Sequence, residues 1–366
     1  MSFILTEEQS LLADTARGFF AEHAPVGRMR AMRDKGERFD RELWRSIADL
    51  GLAGVAIAEE HGGSGFGHVG VGAMMEAAGT TLAATPLVGA AVIAPAILGA
   101  AGRADLLGGL AMGERLYALA LDEGAHHAPL AVAAHAVRAG DGWTLTGTKR
   151  FVAEGDVADT LIVAARTAET GGLSLFLVAG DAPGLIRTPL NALDSRAYAD
   201  LALTDTPGEL LGTEGAGAGL LEPALDAGRV ALAAEMLGMA EAAFAMTLDY
   251  LKTRQQFGQL IGSFQALQHR AALMATDLQL TRSAVRAAAI ALDGRANDAA
   301  QLASLAKARA GGTVHKVTNE AIQMHGGIGM TDASDVGLYL KRARVAEAQL
   351  GGHGFHLDRY ATLGGF

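Results

Sequence analysis

The chain has 366 residues, half of them hydrophobic, with no cysteine and 40 acidic against 30 basic side chains, for a formal net charge of −10. A chain of this length holds domains of roughly 100–150 residues and can build two or three packed layers. Without cysteine, disulfide frameworks, thiolate nucleophiles and Cys-ligated zinc are excluded, so any redox chemistry needs a borrowed cofactor. The acidic balance argues against a nucleic-acid partner, which requires summed positive charge, but leaves room for a local cationic site binding one polyanionic ligand.

Glu7, Glu8 and Asp14 stand where a secretory or organellar signal would place basic and apolar residues, so the N-terminus reads as unprocessed and cytoplasmic. Thr6 before Glu7 and Glu8 suits a helix cap, and Leu12, Ala16, Phe19 and Phe20 then recur at helical spacing. Between Ala77 and Gly102 no charged residue occurs, a stretch long enough for the ~20-residue membrane criterion. Pro86, Pro95, Gly79, Gly89, Gly99 and Gly102 break that run, and no basic cluster or aromatic belt flanks it. The expectation is a buried helix pair and no membrane span.

From about Leu116 to Leu211 the pattern changes to short strands. Trp143 and Leu145 alternate with Thr144 and Thr146, and the runs Thr160 to Ala165 and Leu173 to Val178 follow between turn signals. Gly212 to Gly219 reads as a linker into a second helical block. There Phe264, Leu267, Ala271, Met274, Leu278, Val285, Ala289 and Leu292 step by three and four, with one interruption near Thr281 and with Ser263 as a reasonable N-cap. The fold class is α+β, mostly α: an N-terminal helical domain over 1–114, a central β domain over 115–211 and a C-terminal helical bundle over 212–366. A helix this long suits a bundle that also makes subunit contacts, so oligomerisation is expected.

Two segments carry ligand-binding chemistry. Lys252-Thr253-Arg254-Gln255-Gln256-Phe257-Gly258 offers an Arg fork for a pyrophosphate and an aromatic ring for a base. Its bland alternative is a helix end with basic residues against the dipole and Gly258 as the stop. Gln323-Met324-His325-Gly326-Gly327-Ile328-Gly329 lets backbone N–H groups approach a phosphate, or is simply a glycine-rich turn before a helix start at Thr331-Asp332. His325 reads as a satisfied interior histidine.

In their surroundings these segments resemble the acyl-CoA dehydrogenase family across nearly the whole chain. The likeness includes Leu43 to Gly63, Gly147-Thr148-Lys149-Arg150-Phe151 before Ala158-Asp159, and Phe264-Gln265-Ala266-Leu267-Gln268. Its most specific part is the Arg-x-x-Phe-Gly and Gln-x-x-Gly-Gly-x-Gly pair, roughly 70 residues apart. The resemblance implies FAD between the β domain and a C-terminal four-helix bundle, with the adenosine end crossing into a neighbouring subunit. Arg254 would hold the pyrophosphate, Phe257 would pack near adenine, Gln265, Gln323 and Gly327 would line the dinucleotide, and Gln256 and Gly326 would also belong to the cofactor-binding set. Phe151 and Ala153 would stand at the flavin. It also implies an acyl-CoA thioester substrate, electron-transfer flavoprotein as acceptor, and a dimer or tetramer.

In the family reaction a carboxylate removes the α proton while the β hydrogen leaves as hydride to FAD. The family places a glutamate at one of two positions, matched here by Leu350 and by Gly228, just before Arg229. Neither can accept a proton. Further departures are Leu121-Asp122-Glu123-Gly124-Ala125-His126-His127 for the usual Thr-Glu-Pro-like loop, and Phe151-Val152-Ala153 for Trp-Ile-Thr, which removes the hydroxyl at Ala153. Glu235, seven residues beyond Gly228 on the same helical face, and Glu154 are the candidates for a displaced base, against surface salt bridging or loop solvation.

The leading expectation is therefore a subunit acting with a complementary chain, like small subunits of heteromeric members. Three alternatives stand beside it: a homo-oligomeric dehydrogenase with a displaced base, a flavin monooxygenase or oxidase on the same scaffold, and a flavin-free structural subunit.

Overall fold

A computed structural model describes residues 4–167 and 170–366. The helices before the sheet are α1 (Glu7–His23), α2 (Val26–Lys35), α3 (Arg41–Asp49), α4 (Gly67–Thr80), α5 (Ala94–Ala100) and α6 (Leu107–Ala111). Strands β1 (Tyr117–Ala120), β2 (His135–Ala139), β3 (Gly142–Ala153), β4 (Thr160–Thr167), β5 (Leu173–Ala179), β6 (Leu185–Pro189) and β7 (Tyr198–Leu211) follow. Then come α7 (Gly217–Thr253), the short strands β8 (Gln255–Gln256) and β9 (Gln259–Leu260), α8 (Gln265–Asp293), α9 (Ala299–His325), α10 (Val336–Ala348) and α11 (His353–Leu363). The mostly helical α+β order read from the sequence is the one observed.

The chain forms two compact units, each assembled from separate stretches. One contains the residues up to Ala31, His68–Ala83 and Arg229–Phe366; the other contains Met32–Gly67 and Ala84–Gly228.

In the second unit the sheet closes on itself. Pairings run β4-β2-β3-β7-β5 and return from β5 to β4, with β1 and β6 attached at its margins. β3 buries Trp143 and Leu145 and leaves Thr144 and Thr146 half-exposed, as the alternation predicts. Its ladder with β7 shifts register between Lys149 and Val152, a bulge that turns Arg150 and Phe151 outward. The charge-free run resolves into the end of α4, a loop, and a π-helical segment Leu87–Ile93 that continues directly into α5. Leu87–Ile93 is buried except at Gly89. Among the described residues the helix with the length and apolarity of a membrane span is instead α7, and 72% of its most apolar window is buried inside the protein.

In the first unit α1 begins with a full capping box: Thr6 Oγ1 accepts the Gln9 N–H and Gln9 Oε1 accepts the Thr6 N–H. α9 packs on α8, α10 and α11. Thr281, the interruption in the apolar face of α8, is fully buried and meets Thr313 of α9 at 2.8 Å between hydroxyl oxygens. A hydroxyl pair thus replaces an apolar contact in the seam, because each oxygen is satisfied. Ser263 does not cap α8: its hydroxyl donates back to the Leu260 carbonyl, and Phe264 stands at the cap position with no side-chain bond. Nor does Thr331 start a helix, since its hydroxyl donates to Ile328 and α10 begins only at Val336.

α4 and α7 cross with their backbones almost in contact. A methyl on Gly79 would fall inside the radius of the Glu235 carbonyl oxygen, and one on Gly238 inside that of Glu76. Only hydrogen fits at either position. Gly238→Ala should therefore destabilise by ~1–3 kcal/mol through overpacking. Gly72→Ala on α4, where no atom lies within 4 Å of the added carbon, should be neutral or mildly stabilising. Thermal unfolding of the two variants checks this; equal melting temperatures would contradict the crossing.

Candidate functional site

Helix α7 ends at Thr253, five residues before Gly258, so Gly258 is not the helix stop. The chain instead makes a two-residue hairpin. Gln255 pairs with Leu260 and Gln256 with Gln259, and the Phe257 and Gly258 between them have φ +55° and +78°. Two left-handed residues in a two-residue loop define a type I′ turn, which favours Asn-Gly. A phenylalanine in the first place is strained, and its ring is 92% exposed. The Arg254 carbonyl closes the hairpin by accepting the Ile261 N–H at 2.9 Å, leaving the Arg254 side chain exposed. Gln256 is exposed, but its amide folds back to donate to the Gln255 carbonyl at 2.8 Å. Gln265 is the exposed first residue of α8.

The glycine turn lies against this corner. His325, the last residue of α9, is buried, its Nδ1 is 2.8 Å from the Ala321 carbonyl, and its ring stacks on Tyr250 of α7 at 4.5 Å between centroids. Four residues beyond Tyr250 stands Arg254, and one residue beyond His325 stands Gly326. The glycines differ in what requires them. Gly326 has φ +65°, and a methyl on Gly329 would strike the Ile322 carbonyl. Gly327 has neither an unusual φ nor any atom within 4 Å of an added methyl. The fold itself does not need glycine there, and its absence of a side chain leaves the backbone open to close approach. Gln323, Gly326 and Gly327 are all exposed. Arg254, Phe257, Gln265, Gln323, Gly326 and Gly327 thus gather at one end of the bundle, exposed and with the donors a dinucleotide pyrophosphate requires.

The loop after α10 carries the position matched to a base. Leu350 is non-glycine at φ +58° and Gly351 follows at φ +104°. The Leu350 carbonyl lies 3.0 Å from Nε2 of His356 and 3.5 Å from Nε of Arg229, while Lys307 Nζ donates to the Glu347 and Gly351 carbonyls, each at 3.0 Å. Arg229, Lys307 and His356 are all buried. Burial lowers the Lys307 ammonium to about 7 and, helped by the charges of Lys307 and Arg229, lowers the His356 imidazole to about 2. Sequence reading missed Lys307 and His356. Lys307 was traceable, since it shares a helical face with Ala303, Ala310 and Gly311, all buried.

Glu235 makes no surface salt bridge. It is buried and bidentate to Arg342, at 2.9 Å from Nε and 2.8 Å from Nη2. With both carboxylate oxygens engaged by a guanidinium it is held as an anion in a pair and is not free to exchange a proton with a substrate.

In the sheet unit, Phe151 has φ +52° and is 52% exposed, with its N–H donating to Asp200 Oδ1 at 3.0 Å and its ring 5.2 Å beneath the Arg150 guanidinium. Ala153 is half-buried, and Glu154 at φ +57° leans its carboxylate toward the backbone of Gly89. The acids of the 121–127 loop serve the loop itself. Asp122 is 2.9 Å from His127 Nδ1 and accepts the Ala128 N–H; Glu123 accepts the Ala133 and Ala134 N–H groups and the Nζ of fully buried Lys149 at 2.7 Å. Burial opposes ionisation of Glu123, but the Lys149 bond and the two amides outweigh it and hold the carboxyl below its usual range. Among the described residues no group of three or more His, Asp and Glu could hold a metal.

Three family models match the chain: the acyl-CoA dehydrogenase N-terminal domain over residues 6–114, the middle domain over 121–205 and the C-terminal domain over 215–362. Acyl-CoA dehydrogenase FadE27 of Mycobacterium tuberculosis is 34% identical over 334 residues, 86% of each chain. The mitochondrial isobutyryl-CoA dehydrogenase of Dictyostelium discoideum is 31% identical, over 93% of this chain and 85% of its own. A chain in the ChsE4-ChsE5 complex from Mycobacterium tuberculosis superposes with a TM-score of 0.89 at 30% identity, covering 99% of this chain and 98% of that one.

The buried imidazole makes a pH prediction. His356 stays neutral in the folded chain down to about 2, whereas an unfolded histidine protonates near its ordinary 6.5. As pH falls through that value the unfolded state binds the extra proton, so stability is full above it and declines below it, by at most about 1.4 kcal/mol per pH unit. Urea unfolding at pH 7.5 and 5.5 should show wild type losing more stability than His356→Gln; equal losses would refute the assignment.

Proposed function

Because the chain belongs to the acyl-CoA dehydrogenase family of oxidoreductases, whose members are FAD-dependent flavoproteins, we propose that it is an FAD-binding subunit for α,β-dehydrogenation of an acyl-CoA thioester, completed by a related chain that supplies the base. The observation that carries this reading is the pairing of an intact dinucleotide end with an absent acid. Arg254, Phe257, Gln323 and Gly327 present cationic, aromatic and open backbone groups at one exposed corner, while the two base positions hold Leu350 and Gly228.

In this reading Arg254 clamps the pyrophosphate, Gln265 and Gln323 hydrogen-bond along the dinucleotide, and the Gly326-Gly327 backbone lets it approach. Phe257 packs near the adenine, with Gln256 alongside, and Phe151 and Ala153 stand at the flavin ring. FAD supplies the hydride acceptor for the β hydrogen, and the carboxylate of the complementary chain takes the α proton, so an enoyl-CoA leaves. Electron-transfer flavoprotein then removes the electrons, in the cytoplasm. One similar solved structure is from work on the electron transferring flavoprotein of Acidaminococcus fermentans and another is the ChsE4-ChsE5 complex, which support an acceptor and a heteromeric assembly of these kinds. An exposed stripe along α8 also supports association: Ala266, His269, Leu273, Thr276, Leu280 and Ser283 recur every three or four residues, and Leu273 and Leu280 are 58% and 54% exposed.

A second reading, a homo-oligomer with a displaced base, is favoured only by half-buried Glu154 beside Ala153. It requires Glu154→Gln to abolish activity of the chain purified alone.

Co-expression with a family chain carrying glutamate at the position matched by Leu350 should give acyl-CoA-dependent flavin bleaching that the chain alone lacks. Full activity of the chain alone would reject the heteromeric reading. Arg254→Ala should weaken FAD binding about 10- to 100-fold, the effect of losing a charged hydrogen bond, as read by flavin absorbance after gel filtration. Unchanged flavin content would remove Arg254 from the site.

A further inference from the structure

Three long polar side chains reach the backbone of one loop from three different helices. Arg229 of α7 and His356 of α11 address the Leu350 carbonyl, and Lys307 of α9 bridges the carbonyls of Glu347 and Gly351. All three are buried, and in these bonds they meet neutral carbonyls; for Arg229 and Lys307, the two basic side chains, that is an expensive use of a buried group. The charged groups facing Lys307 are Glu347 and Arg342 of α10 and Arg229 of α7; the half-exposed Glu347 is the only acid among them.

A helix end needs donors for its last carbonyls, and one side chain or a water would serve that purpose. Capping does not explain the conformation that the extra donors secure. Leu350 is held left-handed at φ +58°, where a bulky residue is strained. Gly351 at φ +104° could not carry a side chain, because a methyl there would strike Phe355 and His356. Leucine gains nothing from being presented this way, whereas a proton acceptor would need a fixed direction.

We propose that Arg229, Lys307 and His356 are positioning residues that hold residue 350 in the geometry of a working base, so that the chain is one side chain short of accepting the proton itself. The proposal rests on the reading above that the chain's own base is missing. In Leu350→Glu the α C–H bond of the thioester breaks, its proton passes to the introduced carboxylate, and its electron pair forms the α,β double bond. The β hydrogen leaves with its pair as hydride to bound FAD. Arg229, already bonded to the backbone of that residue, favours the ionised carboxylate.

The test uses the flavin-loaded chain without a partner and the acyl-CoA that the two-chain complex oxidises. L350E should bleach its flavin at least ~100-fold faster than wild type, the usual worth of a placed general base, with a rate that rises with pH through one new ionisation. Adding Lys307→Met should cut that gain about tenfold, shift the new pH limb, and speed amide exchange at Gly351 and its neighbours; His356→Gln does the same duty if the Lys307 variant does not fold. The proposal is overturned if L350E gains nothing while its flavin content and amide exchange match wild type. It is equally overturned if the clamp variants leave rate, pH limb and exchange untouched, since the three side chains are then only a helix cap. Should the two-chain complex neither bind flavin nor oxidise any acyl-CoA, the functional reading itself fails. Amide exchange alone then judges the clamp, and unchanged exchange rejects it.

Discussion

One turn of α7, from Glu235 to Gly238, ties the bundle together. Its backbone abuts Gly79 and Glu76 of α4 with no room for a methyl, and the Glu235 side chain reaches the other way to grip Arg342 of α10 through two bonds. The two contacts reinforce one another. Close approach of α4 fixes the height and rotation of α7, and the bidentate geometry of a buried pair tolerates little error in either. Losing one partner of such a pair strands a charge and costs about 3–5 kcal/mol. The crossing therefore sets where α7 ends, and with it the positions of Tyr250, the hairpin and Arg254. On the other side it sets where α10 ends, and with it the loop at Leu350.

How far the sequence discloses this depends on the range of the interaction. The Thr6 box, the alternation in β3 and the long apolar face of α8 are legible because the partners lie within a few residues of one another. Ser263 fails as a cap because its hydroxyl finds a nearer acceptor at Leu260. Gly258 misleads in a similar way: a glycine after a basic helix end suits both a helix stop and a type I′ turn, and the choice depends on whether Gln255 and Leu260 pair. The charge-free run over Ala77 to Gly102 draws attention by composition, yet α7 is the longer apolar element. Its burial rests on contacts with α4 and α10 that no local pattern announces.

The candidate site divides along the same line. Arg254, Phe257, Gln323 and the glycines stand out as compact motifs, since a dinucleotide is met by short runs of donors and backbone. The clamp on the 350 loop does not, because Arg229, Lys307 and His356 come from three helices and converge only after folding. A buried lysine among alanines is its one visible trace. Glu235 shows the opposite error: helical spacing from Gly228 places it correctly on the face, but says nothing of Arg342, more than 100 residues away, which takes its charge.

Backbone strain adds a signal independent of motif. Among the described residues eight non-glycine positions have positive φ, and Phe151, Glu154, Phe257 and Leu350 are four of them. Phe151 lies at the bulge in β3 and the other three on loops, all in segments that the functional reading already singles out, and strain of this kind persists only where the surroundings impose it. For Phe151 and Phe257 the imposed conformation turns an aromatic ring outward, half or almost wholly exposed, which benefits a bound partner and not the isolated chain. Leu350 is different. Its side chain offers neither a ring nor a charge, while the groups securing its backbone include two buried cations whose placement is costly. A loop that had only to close a helix would lose nothing by relaxing, and the buried donors could be replaced by water or apolar groups. The expensive arrangement thus stands beneath an inert side chain, and it is the backbone of this one residue, not its side chain, that the buried donors hold.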